Sequence, residues 1–412
     1  MPPSAESAAV AQLRSPESIR ERCREILALG DAGGLTHFRL HREHLDGTAD
    51  FVLATIEDRY PNRDIPFHSR WRHFQVAGVD RWGKLAQTLH GHSREDIART
   101  RMDLAVTSVL LDAGAGDRWR YVESDSGNCY SRSEGLAVAS IHLFAAGAFS
   151  SNPHKPLQAD AAGLAALGSE RLEQGFQVRA DNPLVGTSGR IALLQSLGRA
   201  LPGHPDLFGE NNPRVGNLYD YFAARAVNER LAATEIFAAV LRGLAPIWPG
   251  RVQLGGENLG DVWHHGAIRR DDPSNGLVPF HKLSQWLTYS LVEPLEEAGL
   301  RITGLDALTG LPEYRNGGLF VDLGVLALKQ REAAQLSHDA GSELVVEWRA
   351  LTVALLDELA ALIRMGMDLD AERLPLIRIL EGGTWAAGRR AALERRPAGG
   401  PPIAVSSDGT VF

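Results

Sequence analysis

The stretch VPFHKLSQWLTYSL (278–291), followed after a short connection by LDALTGLPEYRNGGLFVDLGVL (305–326), decides how the chain is read. In the first part Leu283, Leu287 and Leu291 recur at helical spacing. Lys282, Gln285, Trp286 and Tyr289 fall on the adjoining stripe. Pro279, a residue favoured in a helix's first turn, introduces this helix. In the second part Gly310, Pro312 and the Gly317-Gly318 pair bracket Glu313, Tyr314 and Arg315 in a tight turn before the next apolar run. Two helices are predicted, each presenting a charged group, Lys282 or Glu313, at an edge beside a turn rich in breakers.

Outward from this stretch the helical period recurs. Ser15-Pro16-Glu17 opens a segment carrying Ile19, Cys23, Ile26 and Leu27 and ending at Gly30. Ser93 caps a second helix with Ile97, Met102, Leu104, Val106, Val109 and Leu110, which stops at Gly114. Further helices are predicted over 132–149, 160–174, 187–199, 218–243, 279–299, 342–365 and 384–395. Strand signals are weak: RWRYVE (118–123) and the terminal TVF (410–412), the latter expected as a buried strand. There is no internal repeat. The fold class is therefore mainly α, a compact multi-helix body with few short strands. Residues 1–14 are expected to form a flexible N-terminus. Residues 15–412 form a single helical unit, either undivided or in two lobes at about 15–205 and 206–412.

Composition bounds the function. Of 412 residues 44% are hydrophobic and 23% charged, with a formal net charge of -8, which argues against binding nucleic acid through phosphate neutralisation. Two cysteines, Cys23 and Cys129, build neither a disulfide framework nor a zinc cluster and suit a reducing compartment. The N-terminus lacks a signal peptide's apolar region, and no apolar run reaches the length of a membrane helix. A soluble, cytoplasmic protein is expected.

A lysine and a carboxylate on helix edges are parts that cleavage of an N-glycosidic bond uses, because a fixed carboxylate stabilises an oxocarbenium-like transition state. The competing reading makes Glu313 a helix-start carboxylate facing the dipole and Lys282 a solvated surface residue. Long connections at 64–74, 150–158, 179–189, 203–217 and 245–266 are dense in aromatic and charged residues and read as site-building loops. Within them His68, Arg70, Trp71, Arg72 and His73 form the best anion site, in which Arg70 and Arg72 could grip a phosphate. The alternative is a surface loop packing Trp71 and Phe74 inward. His41 and His44, and His264 and His265 near Asp261 and Glu257, lack a metal-binding frame, so no metal and no other cofactor is expected. LDAGAG (111–116) reads as a helix terminus.

The strings SVLLDAGAG, RSEGLAVAS, DNPLVG, VPFHKLSQWLTYSL, LTGLPEYRNGGLFVDLGVL, VEWRALTVALLD, LEGGTWAAGR and SDGTVF together resemble the uracil catabolism protein 4 family over nearly the whole chain. That resemblance implies a place in pyrimidine breakdown. It also implies functional links to a uracil phosphoribosyltransferase and a cyclohydrolase-like ring-opening enzyme, through ribosylurea-type intermediates.

A more distant resemblance is to the queuosine salvage glycosidases and, through them, to the helix-hairpin-helix DNA glycosylase architecture. Their F-Y-K-R-A-Q and L-T-x-x-A-D-Y-R-V-P-Q stand here as F-H-K-L-S-Q (280–285) and L-T-G-L-P-E-Y-R-N-G-G (308–318). Lys282, Gln285, Glu313, Tyr314 and Arg315 match in turn. Glu replaces Asp at 313, and Asn316-Gly317 replaces Val-Pro. The layout of 119–140 would bring Tyr130 and Glu134 to the same place.

The resemblances imply a metal-independent N-ribosyl hydrolase acting on a small phosphorylated ribosyl substrate such as ribosylurea 5′-phosphate. Glu313 and Lys282 would be the catalytic pair. Substrate contacts would come from Gln285, Trp286, Glu134, Tyr130, Tyr314, Arg315, Arg70, Arg72 and His68, with Arg70, Arg72 and Arg315 serving the phosphate. A ureido or amide hydrolase of the same pathway and a non-catalytic partner of the ring-opening enzyme are the competing readings. Neither nucleic acid nor membrane is an expected partner.

Overall fold

The computed structural model describes residues 4–112, 114–248 and 250–406, so the terminal TVF lies outside the described residues. Helices predominate, as the periodicity requires. They begin where short polar side chains satisfy first-turn amides. Ser15 Oγ accepts from the Ser18 amide (3.1 Å) before Pro16–Asp31, and Ser93 Oγ from the Asp96 amide (3.1 Å) before Arg94–Leu110. The 25-residue helix Glu343–Met367 packs along Pro16–Asp31 and Leu45–Arg59. Arg94–Leu110 lies against Lys282–Glu297 and Arg132–Ala145.

One hydrophobic cluster runs from Ile19 to Ile403, with Val345, Leu351, Leu355 and Leu359 fully buried on the long helix. Each such side chain is worth about 1.5–3 kcal/mol on leaving water, so packing rather than propensity holds this helix. Gly388 lets Trp385–Arg395 cross Tyr314–Asp322, because a Cβ there would stand 2.2 Å from the Arg315 carbonyl oxygen.

Strands pair only in twos among the described residues. Phe38–Leu40 runs antiparallel to Leu326–Leu328, and Arg230–Ala232 parallel to Arg301–Thr303. The strand expected within 118–123 is Tyr121–Val122, paired with Cys129–Tyr130. No helix among the described residues is long and apolar enough to cross a membrane.

Three expected elements differ. Residues 218–243 divide into Leu218–Arg225 and Ala233–Leu244. Between them Asn228 (φ 49°) and Glu229 (φ 61°) adopt left-handed backbone, which a right-handed helix cannot continue. Residues 160–174 divide at Gly168 into Ala161–Ala165 and Ser169–Gly175. Residues 1–14, expected to be flexible, carry the helix Ala5–Leu13. Its Val10 and Leu13 join Leu259, Val262 and Leu277 in a second apolar cluster. Those partners lie far along the chain, out of reach of a local reading.

Candidate active site

Lys282 opens the helix Lys282–Glu297 after His281, whose backbone is left-handed (φ 47°, ψ 38°). The Lys282 amide donates to Asp261 Oδ2 (2.9 Å), and Arg349 grips the same carboxylate at 2.7 and 2.8 Å. Burial pushes the Asp261 carboxyl up, but Arg349, the Trp263 N–H and the Lys282 amide together bring it below the ordinary carboxylate range. The helix start is thereby pinned by an anion delivered from the 245–266 connection.

Gln285, fully buried, then locks the next turn. The Thr309 amide donates to Gln285 Oε1 (2.9 Å), Gln285 Nε2 donates to Thr309 Oγ1 (2.5 Å), and Tyr289 Oη donates to the Thr309 carbonyl (2.8 Å). This clamp fixes the turn that carries Glu313. Glu313 caps the helix Tyr314–Asp322: Oε2 accepts from the Arg315 amide (2.7 Å) and Oε1 from the Asn316 amide (2.8 Å).

Burial raises the Glu313 pKa, and the two amides, Lys282 and Arg315 counter this only in part. Burial likewise lowers the Lys282 ammonium against the pull of Glu313. Lys282 Nζ makes no hydrogen bond or ion pair among the described residues, so the two groups are electrostatic neighbours without direct pairing. Oppositely charged groups both driven toward neutrality mark functional sites, though structural networks do the same.

The basic-aromatic run folds as the short helix Arg70–Phe74, stitched to the Lys282 helix. The Arg70 amide donates to Ser290 Oγ (3.0 Å), Trp71 Nε1 to the Ser290 carbonyl (2.8 Å) and Arg72 Nη2 to Glu293 Oε1 (2.5 Å). Arg70 is fully buried and pairs with Asp112 at 2.8 Å while donating to Ser108 Oγ at 2.7 Å. The two arginines expected to grip a phosphate are thus directed at Asp112 and Glu293.

His68 and His73 pack on Trp286, with ring centroids 4.6 and 6.0 Å away, and Trp385 lies 6.2 Å from each. His68 Nδ1 is 2.7 Å from Glu381 Oε2. Glu381 belongs to one wide π turn, Leu380–Thr384, and Trp385 follows it. Such turns recur at functional sites.

The remaining candidates divide. Tyr314 is half-buried beside Glu313; burial pushes its hydroxyl up, and Arg315 opposes this. Arg315 lies 4.8 Å from the Tyr314 ring and donates to the Gly399 carbonyl (2.8 Å). Glu134 is turned to Arg389 (3.1 Å). The Tyr130 hydroxyl accepts from Arg81 (2.9 Å) and Asn128 (3.2 Å) within a separate buried network that includes Glu123. His265 faces the buried Glu347 at 3.6 Å.

Lys282, Glu313 and Tyr314 thus form one group, and His68, Trp286, Glu381 and Trp385 a second, with Asp112 between them. Asp112 acts electrostatically on Lys282, Tyr314 and His73, which ties the two halves together. The signals for Asp112, Glu381 and Trp385 were thin. Asp112 sits in a string that reads as a helix end, and only the Gly pair in LEGGTWAAGR hinted at an unusual turn.

A half-buried lysine thus stands beside a helix-capping carboxylate, and two histidines pack on Trp286 of the same helix. The chain belongs to the family described as "Protein of unknown function (DUF1688)", matched over residues 12–412. It is similar to Protein urg3 of Schizosaccharomyces pombe, 42% identical over 412 residues, with 98% of this chain and 99% of that one covered. It is also similar to Uracil catabolism protein 4 of Lachancea kluyveri, 39% identical over 438 residues, with 98% and 99% covered. The family expected from the motifs is borne out.

Proposed function

We propose that this protein acts in pyrimidine catabolism and hydrolyses the N-glycosidic bond of a ring-opened pyrimidine ribonucleotide such as ribosylurea 5′-phosphate. The name of the Lachancea kluyveri relative supports the pathway. One observation carries the chemistry: a buried Glu313 fixed by two helix amides and electrostatically coupled to Lys282. Breaking a C–N glycosidic bond builds positive charge on the sugar, and an immobile anion meets it without reorganising. Both Glu313 oxygens accept N–H groups, a role suited to the ionised acid, and their other lone pairs remain for a sugar cation or a water.

Lys282 holds Glu313 in its charged state or binds the ribose or phosphate. A Schiff-base relay through its amine is the second use open to it, but simple hydrolysis needs none. Tyr314, Trp286 and His68 contact the substrate. With Arg70 and Arg72 turned to acids, phosphate binding passes to Lys282, Arg315 and Arg132, whose guanidinium donates to the Ala398 carbonyl at 3.3 Å. Closure of the aromatic side chains over a bound substrate would exclude water and strengthen each of these contacts.

The test is product analysis with the purified protein and ribosylurea 5′-phosphate. Urea and ribose 5-phosphate should appear together in equal amounts. Ammonia without ribose 5-phosphate would move the reaction to the ureido group. No product unless the ring-opening enzyme is added would make this chain its partner.

A further inference from the structure

We infer that His68 and His73, held in opposite tautomers, form a matched acceptor and donor that reads an amide edge, a C=O beside an N–H, on the group the sugar is cleaved from. The inference rests on the hydrolytic reading for the identity of that group, whereas the state of each Nδ1 follows from its hydrogen bond.

A guanidinium only donates, so His73 Nδ1, 3.3 Å from Arg70 Nη1, is an acceptor and its proton sits on Nε2. Arg70 is held in turn by Asp112 and Ser108. Burial first, and then the charge of Arg70, lower the His73 pKa to about 4, which keeps this ring neutral at neutral pH. His68 has the reverse arrangement. Its Nδ1 faces the Glu381 carboxylate at 2.7 Å and so carries a proton, and the inference takes this ring as neutral, with the lone pair on Nε2. Both Nδ1 assignments follow from the hydrogen-bond network. Neither Nε2 has a hydrogen bond among the described residues.

Both rings lie beside the same two indoles, Trp286 and Trp385, each in a tilted arrangement that brings the two histidines to one aromatic cluster. A ureido group has this complement along one edge. Its terminal N–H donates to His68 Nε2 and its carbonyl accepts from His73 Nε2–H. When the C–N bond breaks, its electron pair passes to the ureido nitrogen and spreads to the carbonyl oxygen, where the His73 hydrogen bond strengthens. Water supplies hydroxyl to the sugar carbon, and its proton goes to the leaving nitrogen. Glu381 is a positioning residue, acting through His68.

Long-range proton–nitrogen spectra of the histidine-labelled full chain at pH 7.5 read the tautomers directly, with single His→Gln variants for assignment. A proton on Nδ1 alone of His68 and on Nε2 alone of His73 is expected; the other tautomer, or a doubly protonated ring, at either position overturns the inference. Ribosylurea 5′-phosphate added to the Glu313→Gln protein should move both Nε2 resonances. Its N′,N′-dimethyl analogue, which lacks the terminal N–H, should move His73 alone and bind at least ten-fold more weakly. Equal affinity for the two ligands also overturns it. Shifts at both histidines without urea release by the unmutated protein would end the hydrolytic reading and leave this one standing. Urea release with unmoved histidines would do the opposite.

Discussion

Because both oxygens of Glu313 accept helix amides, replacing this residue acts on folding and on chemistry by separable routes. Glu313→Gln keeps one acceptor oxygen and loses the charge. Its unfolding temperature should fall modestly, because the new NH2 cannot accept the second helix amide, while turnover falls ~10²–10³-fold, the scale seen when one preorganised electrostatic group is lost. Glu313→Ala loses the cap as well and should be less stable by about 0.5–2 kcal/mol. Calorimetry run beside urea release separates the two, and a Gln variant with undiminished turnover removes Glu313 from the mechanism. Lys282→Met probes the same pair from the other side. The cation opposes the burial that raises Glu313, so its loss should raise the Glu313 pKa further. The acidic limb of the kcat/KM profile is expected to move to higher pH. An unmoved limb with reduced kcat would instead make Lys282 a contact to substrate.

At the scale of elements, the turn Leu380–Thr384 transmits packing to chemistry. A Cβ on Gly382 would stand 2.7 Å from Ile65 Cγ2, and one on Gly383 2.6 Å from Val52 Cγ1. Alanine at either position forces the turn away from Leu45–Arg59 or the 64–69 segment, an overpacking that costs about 1–3 kcal/mol. Glu381 and Trp385 lie on either side of this glycine pair, so kcat/KM should fall together with the melting temperature. Gly47 provides the control. It is exposed within Leu45–Arg59, and a Cβ there meets nothing within 4 Å. Gly47→Ala should stabilise the fold by about 0.5–1 kcal/mol through helix propensity and leave activity unchanged. Activity lost equally in all three variants would show that the π turn has no special bearing on the site.

Over the whole molecule, what could be read locally and what could not divide along one line. Helix starts at Ser15 and Ser93 were legible because the capping oxygen and the amide it satisfies are three residues apart. The meeting of Lys282 with the Glu313 turn was partly legible, since breakers flank both and the motif resemblance joins them. The partners of Arg70 and Arg72 were not, because Asp112 and Glu293 arrive from other parts of the chain and no periodicity announces them. Pairings of this long-range kind also set the response to acid. Arg81, at 2.6 and 2.7 Å, with Ser126 and His142, holds the buried Glu123 carboxyl at about 2, below its ordinary 4.5. A depressed carboxylate contributes stability that is present above the unfolded value and lost as pH falls toward the folded one, here from about 4.5 to about 2. His73, held at about 4 against an ordinary 6.5, acts one window higher. Between these values the unfolded chain takes up a proton that the folded one refuses, so stability falls as pH drops from 6.5 toward 4. Melting temperature should therefore decline in two adjoining steps below pH 6.5. His73→Gln should flatten the upper step alone. Glu123→Gln should remove the lower one and, by leaving Arg81 buried without its acid, cost about 3–5 kcal/mol even at neutral pH. Melting curves of the three proteins between pH 3 and 8 decide this. An upper step that persists in His73→Gln would mean that another buried group titrates there.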